Sequence, residues 1–148
     1  MAIPDLDDDG FLPEGVHKCA FDELQQRFGG SQRSDRRSAL FVKLVEYIQE
    51  LRSTGMVAGL VVDGSFVTNK AEPGDIDLVL ILRADHDFAV DLRPFEYNVL
   101  SRRRVLKRYA FDVLVARENS PELLEYVEFF QQIRGVTDHR KGILKVLP

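Results

Sequence analysis

Apolar residues recur at helical spacing at Leu40, Phe41, Leu44, Val45, Ile48 and Leu51. That stripe predicts an amphipathic helix, with Ser34 as its N-cap and Gly55 as its end. The period then changes. Val57 to Val62 is a short apolar run rich in valine, the pattern of a buried strand. Gly64 breaks that run, and a loop or short helical turn is expected as far as Gly74. Asp75 to Leu82 reads as a second strand with two unlike faces. Ile76, Leu78, Leu80 and Leu82 share one face, while Asp75 and Asp77 lead the other, followed by Val79 and Ile81.

The remaining segments carry weaker patterns. Residues 1–20 mix Pro4, Gly10, Pro13 and Gly15 with aspartates, which predicts an irregular acidic arm. Phe21 to Phe28 reads as a short helix closed by Gly29 and Gly30. Pro94 opens a helical segment through about Arg103, and Tyr109 to Ala116 reads as a third strand containing Asp112. Ser120 and Pro121 then start a last helix, with a buried stripe expected at Leu123, Leu124, Val127 and Phe130. Gly142 to Leu147 is a short final strand. Alternating helices and strands predict an α/β class, with one domain over 21–148 built as a small mixed β-sheet flanked by helices.

Composition narrows the function classes. At 148 residues, with 45% hydrophobic and 30% charged residues, the chain fits one globular domain. A net charge of −4 argues against a protein that simply coats nucleic acid. The charge is uneven, however: Asp5, Asp7, Asp8 and Asp9 crowd the arm, and Arg102, Arg103, Arg104, Lys107 and Arg108 form one basic stretch. Cys19 is the single cysteine, which excludes an intrachain disulfide and a Cys-rich zinc site. No apolar run reaches membrane-spanning length, and the acidic start lacks the apolar core of a secretory signal. These features predict a soluble cytoplasmic domain with no membrane partner.

The chemistry is concentrated between Gly64 and Asp77. Asp75 and Asp77, two apart on a strand, point the same way. Paired carboxylates repel unless a cation lies between them, and hard oxygen donors of this kind suit Mg²⁺. Gly64 permits close backbone approach to a bulky anion, and Ser65 adds a hydroxyl at the same place. A phosphate site facing a metal site is the layout that phosphoryl or nucleotidyl transfer requires.

A Gly-Ser pair after one strand, an Asp-x-Asp on the next and a third Asp on a later strand resemble the nucleotidyltransferase superfamily. That superfamily includes DNA polymerase beta and the small minimal nucleotidyltransferases. The likeness covers roughly Met56 to Ala116, the expected catalytic core, and implies a polymerase-beta-like fold. It implies that Asp75, Asp77 and Asp112 are the catalytic carboxylates and hold two Mg²⁺ ions. It also implies that Gly64 and Ser65 hold the phosphates of a nucleoside triphosphate (NTP), whose nucleoside monophosphate passes to a hydroxyl. Phe66, Val67 and Thr68 stand where many minimal members carry an arginine and small residues, so Thr68 and Lys70 become the further phosphate candidates. Asp63 is charged where an apolar residue is common. The acceptor is a protein, an RNA or a small molecule, and toxin–antitoxin and phage-defence modules supply the family analogy.

Other readings stand beside this one. A non-catalytic module could keep the fold and dock a protein partner, or a second copy, through the apolar residues Phe129, Phe130 and Val136. A single-stranded nucleic-acid binder would use Arg102–Arg108; the same stretch reads equally as a solvated helix end. Asp5 to Gly10 imitates the start of a calcium loop, but Val16 stands where the twelfth-position glutamate belongs. The arm therefore reads as solvated. His17, His86 and His139 share no ligand spacing, and Cys19 reads as a small buried residue.

Overall fold

The computed structural model describes residues 3–29 and 35–147. In chain order its elements are β1 (Gly15–Cys19), α1 (Phe21–Phe28), α2 (Asp35–Thr54), β2 (Val57–Asp63), β3 (Asp77–Leu82), α3 (Pro94–Leu100) and α4 (Arg102–Tyr109). Then come β4 (Asp112–Arg117), α5 (Pro121–Phe130), β5 (Gln132–Ile133), β6 (Val136–Arg140) and β7 (Gly142–Val146). The two expected boundary residues Gly30 and Ser34 lie outside the described residues.

Five strands form one mixed sheet in the order β1-β7-β2-β3-β4. The outer pairs β1–β7 and β3–β4 are parallel, and β2 runs antiparallel to both β7 and β3. Side-chain alternation sends the strands' residues to two separate cores. Ile76, Leu78, Leu80, Leu82, Val113 and Leu144 pack with residues of α1 to α4, among them Leu24, Phe28, Leu44, Ile48, Val99 and Val105. Val61, Val79, Ile81 and Ile143 pack on the opposite face against Phe130, with Leu123 and Val127 of α5 beside them. The result is a sheet between two helical layers, in agreement with the α/β expectation. None of the described helices is long and apolar enough to cross a membrane.

Local chemistry explains the element ends. Gly55, with φ of +66°, ends α2 in the left-handed region that favours glycine. The Ser120 hydroxyl accepts the Leu123 amide at 3.2 Å, capping α5 with Pro121 at its first position.

Five expectations need correction, the first being the second strand, which begins at Asp77 and leaves Asp75 in the loop before it. The arm is not irregular throughout, because Gly15–Cys19 pairs in parallel with β7, and Leu12 is buried. The segment after Pro94 is two helices broken at Ser101, whose hydroxyl caps the second. That second helix runs through Tyr109, so the third strand begins only at Asp112, after Ala110 turns the chain at φ of +63°. On α5, Leu124 points to solvent at 71% exposure, leaving Leu123, Val127 and Phe130 as the packed positions.

Candidate functional site

Three aspartates stand side by side across the sheet. Asp63 ends β2 opposite Asp77, and Asp77 is in register with Asp112 of β4. Alternation places all three on the α5 side of the sheet, at the strand ends. Like charges on directly paired positions destabilise a sheet, and each member of this row meets that cost differently. Lys141 Nζ donates to both oxygens of Asp63, at 2.8 and 3.0 Å. Arg102 grips Asp112 with a fork, Nε to Oδ1 at 2.7 Å and Nη2 to Oδ2 at 3.1 Å.

Among the described residues no cation pairs with Asp77, in the middle, and its nearest charged neighbours are the carboxylates of Asp75, Asp63 and Asp112. Burial, followed by the charges of Asp75 and Asp63, pushes the Asp77 carboxyl up to about 7. Burial acts on Asp75 as well, but the side-chain and backbone hydrogen bonds from Ser65 outweigh it and hold Asp75 below the ordinary carboxylate range. Of the two carboxyls, Asp77 is thus the one that keeps its proton to higher pH. Burial likewise pushes Asp63 up, against the pull of Lys141.

The Gly64–Gly74 loop brings its hydroxyl and amide groups to the same carboxylates. Ser65 donates both its backbone N–H, at 3.0 Å, and its hydroxyl to Asp75 Oδ1. The same hydroxyl accepts the Gly74 amide at 3.0 Å. Gly64 has φ of +93°, and a Cβ there would stand 3.0 Å from both Asp75 O and Asp77 N, so the close approach of the loop to β3 demands glycine. Thr68 is buried and its hydroxyl donates to Ser65 O at 2.7 Å, so it shapes the turn from within. Lys70 is exposed at the loop's outer end.

A residue that the sequence reading passed over holds this loop in place. Arg37 of α2 is fully buried and donates to the carbonyls of Phe66 (2.5 Å), Thr68 (2.6 Å) and Lys70 (2.6 Å). Its guanidinium also lies over the Phe28 and Phe66 rings. One signal was present: Arg37 lies four residues before Phe41 on the apolar stripe of α2. Lys141 gave no comparable signal, since 78 positions separate it from Asp63.

The row opens into a cleft of about 1400 Å³. Asp63, Gly64, Ser65, Asp75 and Asp77 line one wall together with Thr68 and Lys70. The opposite wall is the β5–β6 hairpin, including Ile133, Arg134 and Val136, with Phe129 beside it. Every nucleotide-site candidate read from sequence therefore lines this cleft; Asp112 does not, and is reached only along the row. The arm closes the cleft's end. His139 faces Asp7 at 3.1 Å and Asp9 at 3.4 Å, bringing one ligand atom of each within 4.8 Å of the others. Asp7 also accepts the Asp9 and Phe11 amides, so this group already serves as a strap between arm and hairpin. Sequence spacing had left His139 isolated.

Asp75 and Asp77 offer hard oxygen donors and little positive charge of their own, a donor set that suits Mg²⁺. The basic stretch is largely engaged within the chain. Arg104 donates to Asn98 at 2.7 Å, and Arg108 pairs with Glu50 at 2.6 Å. Only Lys107 and Arg108 lie in the last turn of α4, however; Arg102 to Arg104 open that helix, where cations oppose its dipole, contrary to the helix-end expectation. Phe130 is core, whereas Phe129 and Val136 are exposed. Cys19 is buried, and burial raises its thiol to about 11, as expected of a packing residue.

Fold and site together define a small α/β domain with an acidic, loop-flanked cleft at its strand ends. The chain belongs to the family described as "Family of unknown function (DUF6932)", whose model matches residues 4–147. No curated protein and no solved structure matches it.

Proposed function

We propose that the protein is a Mg²⁺-dependent nucleotidyltransferase with a polymerase-beta-like core, moving a nucleoside monophosphate from an NTP to a hydroxyl on a protein, an RNA or a small molecule. The observation that carries this reading is the register of Asp63, Asp77 and Asp112 beside a Ser65 loop bonded to Asp75. In it, Asp75 and Asp77 hold the divalent cation, with Asp112 completing the place of a second ion. Bound there, Mg²⁺ supplies charge neutralisation of the triphosphate and of the attacking oxygen. Gly64 and Ser65 present the loop to the phosphates, and Lys70 is an exposed cation at its rim. The acceptor oxygen bonds to the α-phosphorus, and the bond from that phosphorus to the bridging oxygen of the β-phosphate breaks. Pyrophosphate leaves with the electron pair, and Asp112, once Arg102 releases it, would take the hydroxyl's proton. The open hairpin wall, with exposed Phe129, Val136 and Arg134, leaves room for a protein or RNA acceptor of the kind toxin–antitoxin and phage-defence enzymes modify.

The test incubates the protein with α-³²P-labelled NTPs, Mg²⁺ and a lysate of the source cells. Label on a discrete protein or RNA band, absent with Asp77→Ala, supports the assignment. One observation favours a second reading, a non-catalytic module that binds a partner: both outer aspartates already carry a cation of the chain. No transfer, together with nucleotide binding that ignores Mg²⁺, would select that module.

A further inference from the structure

The two cations on the aspartate row are not equivalent. Lys141 and Asp63 are both largely buried, with side-chain exposures of 15% and 5%. Arg102 and Asp112 stand in solvent, at 62% and 48%. A buried pair is a fixed part of the fold, because breaking it strands a charge in a poor dielectric. An exposed pair is weak and exchangeable. Arg102 is also built to let go: its backbone is fixed as the first residue of α4, behind the Ser101 cap, while its side chain reaches out to the carboxylate. Asp77 and Asp112 are neighbours in register, yet the carboxylates of Asp75, Asp77 and Asp112 do not close into one cluster as Asp7, Asp9 and His139 do. The Asp112 carboxylate is committed to the guanidinium instead, with both oxygens engaged.

We propose that Arg102 is a built-in stand-in for the second divalent cation, holding Asp112 until it is displaced. The inference rests on the metal-site reading above and refines its count. Without nucleotide, the centre takes one divalent ion on Asp75 and Asp77, and Arg102 occupies the second place. Removing the guanidinium frees Asp112 to share an ion with Asp77. Arg102 is thus a positioning residue for the metal centre, separate from the carboxylates that ligate.

Mn²⁺, which takes the same oxygen donors as Mg²⁺ and is counted by its electron paramagnetic resonance signal, provides the test. The full chain, without nucleotide and at pH 8, is titrated as wild type, Arg102→Gln, and Arg102→Gln combined with Asp112→Asn. One ion per chain is expected for wild type. Arg102→Gln should take a second ion, bound roughly five- to tenfold more tightly than any second ion on the wild type. The double variant should return to one. Two ions of similar affinity on wild type, or a single ion on Arg102→Gln, overturns the stand-in role and leaves the metal centre intact. No ion on either protein overturns the metal centre as well. Asp7, Asp9 and His139 form a separate group of possible ligands, so every count is read in an Asp9→Asn background, and the exposure of Arg102 makes its replacement benign to the fold.

Discussion

Asp77 and Asp112 are cross-strand partners in the parallel pair β3–β4, and Asp63 faces Asp77 from the antiparallel side. A sheet tolerates three carboxylates on adjacent strands only when something other than water balances them. Lys141 and Arg102 balance the outer two, and burial with the neighbouring charges pushes the middle one towards its neutral form.

Stability should therefore fall as pH rises. Asp77 has an ordinary value of 3.8 and is held at about 7 in the folded chain. Between those values the native state keeps a proton that the unfolded chain has released, so raising the pH favours unfolding. Above about 7 this contribution is fully lost. Asp77→Asn, which cannot ionise, should melt higher than wild type at pH 8, by roughly 2–4 °C if about 1 kcal/mol is recovered. The two proteins should converge near pH 4. Thermal melts across pH check this, and a wild type as stable as Asp77→Asn at pH 8 would contradict it.

Mg²⁺ and protons should compete for the same carboxyl pair. Calorimetry in metal-free buffer should give Mg²⁺ binding that weakens as pH drops from 8 to 6, through the value near 7 held by Asp77. Proton release on binding should be visible as a dependence of the measured heat on the buffer's ionisation enthalpy.

Loss of Arg37 should be severe. Arg37→Met leaves the carbonyls of Phe66, Thr68 and Lys70 without their buried donor. The expected cost is about 3–5 kcal/mol, read from the urea midpoint. Arg37→Lys keeps the charge but cannot span the carbonyls with a planar fork, so it should recover only part of the loss. The Gly64–Gly74 loop should become the first site of proteolytic nicking in either variant.

Much of this site was legible as a one-dimensional pattern. Gly64, Ser65, Asp75 and Asp77 lie within one strand–loop–strand unit, but β3 begins at Asp77, so its two-residue period orients Asp77 alone and Asp75 is placed by its hydrogen bonds from Ser65. Asp112 was legible because an aspartate inside an apolar run needs a reason to be there. What stayed hidden came from distance and from edges. Lys141 meets Asp63 only through the pairing of β7 with β2, which brings the chain's end beside its middle. β1 is an edge strand whose exposed positions, Val16 and Lys18, mix an apolar with a charged residue, and its short parallel pairing gives no period to read. The β5–β6 hairpin turns at Arg134–Gly135, with φ of +77° at the glycine, but its strands are too short for periodicity to declare them. The start of β4 was placed early because Ala110 adopts the left-handed conformation, where glycine or asparagine is the usual cue.

Gly64→Ala separates the loop's geometry from the metal site. The added Cβ meets backbone atoms of Asp75 and Asp77 at 3.0 Å and imposes an unfavourable φ of +93°. An expected cost of about 1–3 kcal/mol follows, with nucleotide binding more affected than Mn²⁺ binding.

Lys141 is the fixed cation of the row, and its removal should depend on pH in a defined direction. Lys141→Met leaves the buried Asp63 carboxylate unpaired, at a cost of about 3–5 kcal/mol where Asp63 must be charged. Burial already pushes the Asp63 carboxyl above its ordinary value while Lys141 pulls it down. Without the lysine it rises further, so the native state can hold a proton there as the pH falls. The unfolded chain releases that proton near 3.8, so lowering the pH from 8 towards 5 favours the native state of the variant. The loss caused by Lys141→Met should therefore be largest at pH 8 and smaller at pH 5. Adding Asp63→Asn should restore much of the stability at pH 8, because the stranded charge is gone. A loss that is equal at both pH values, or that Asp63→Asn does not relieve, would mean that Lys141 supports the fold through packing of its stem rather than through its charge.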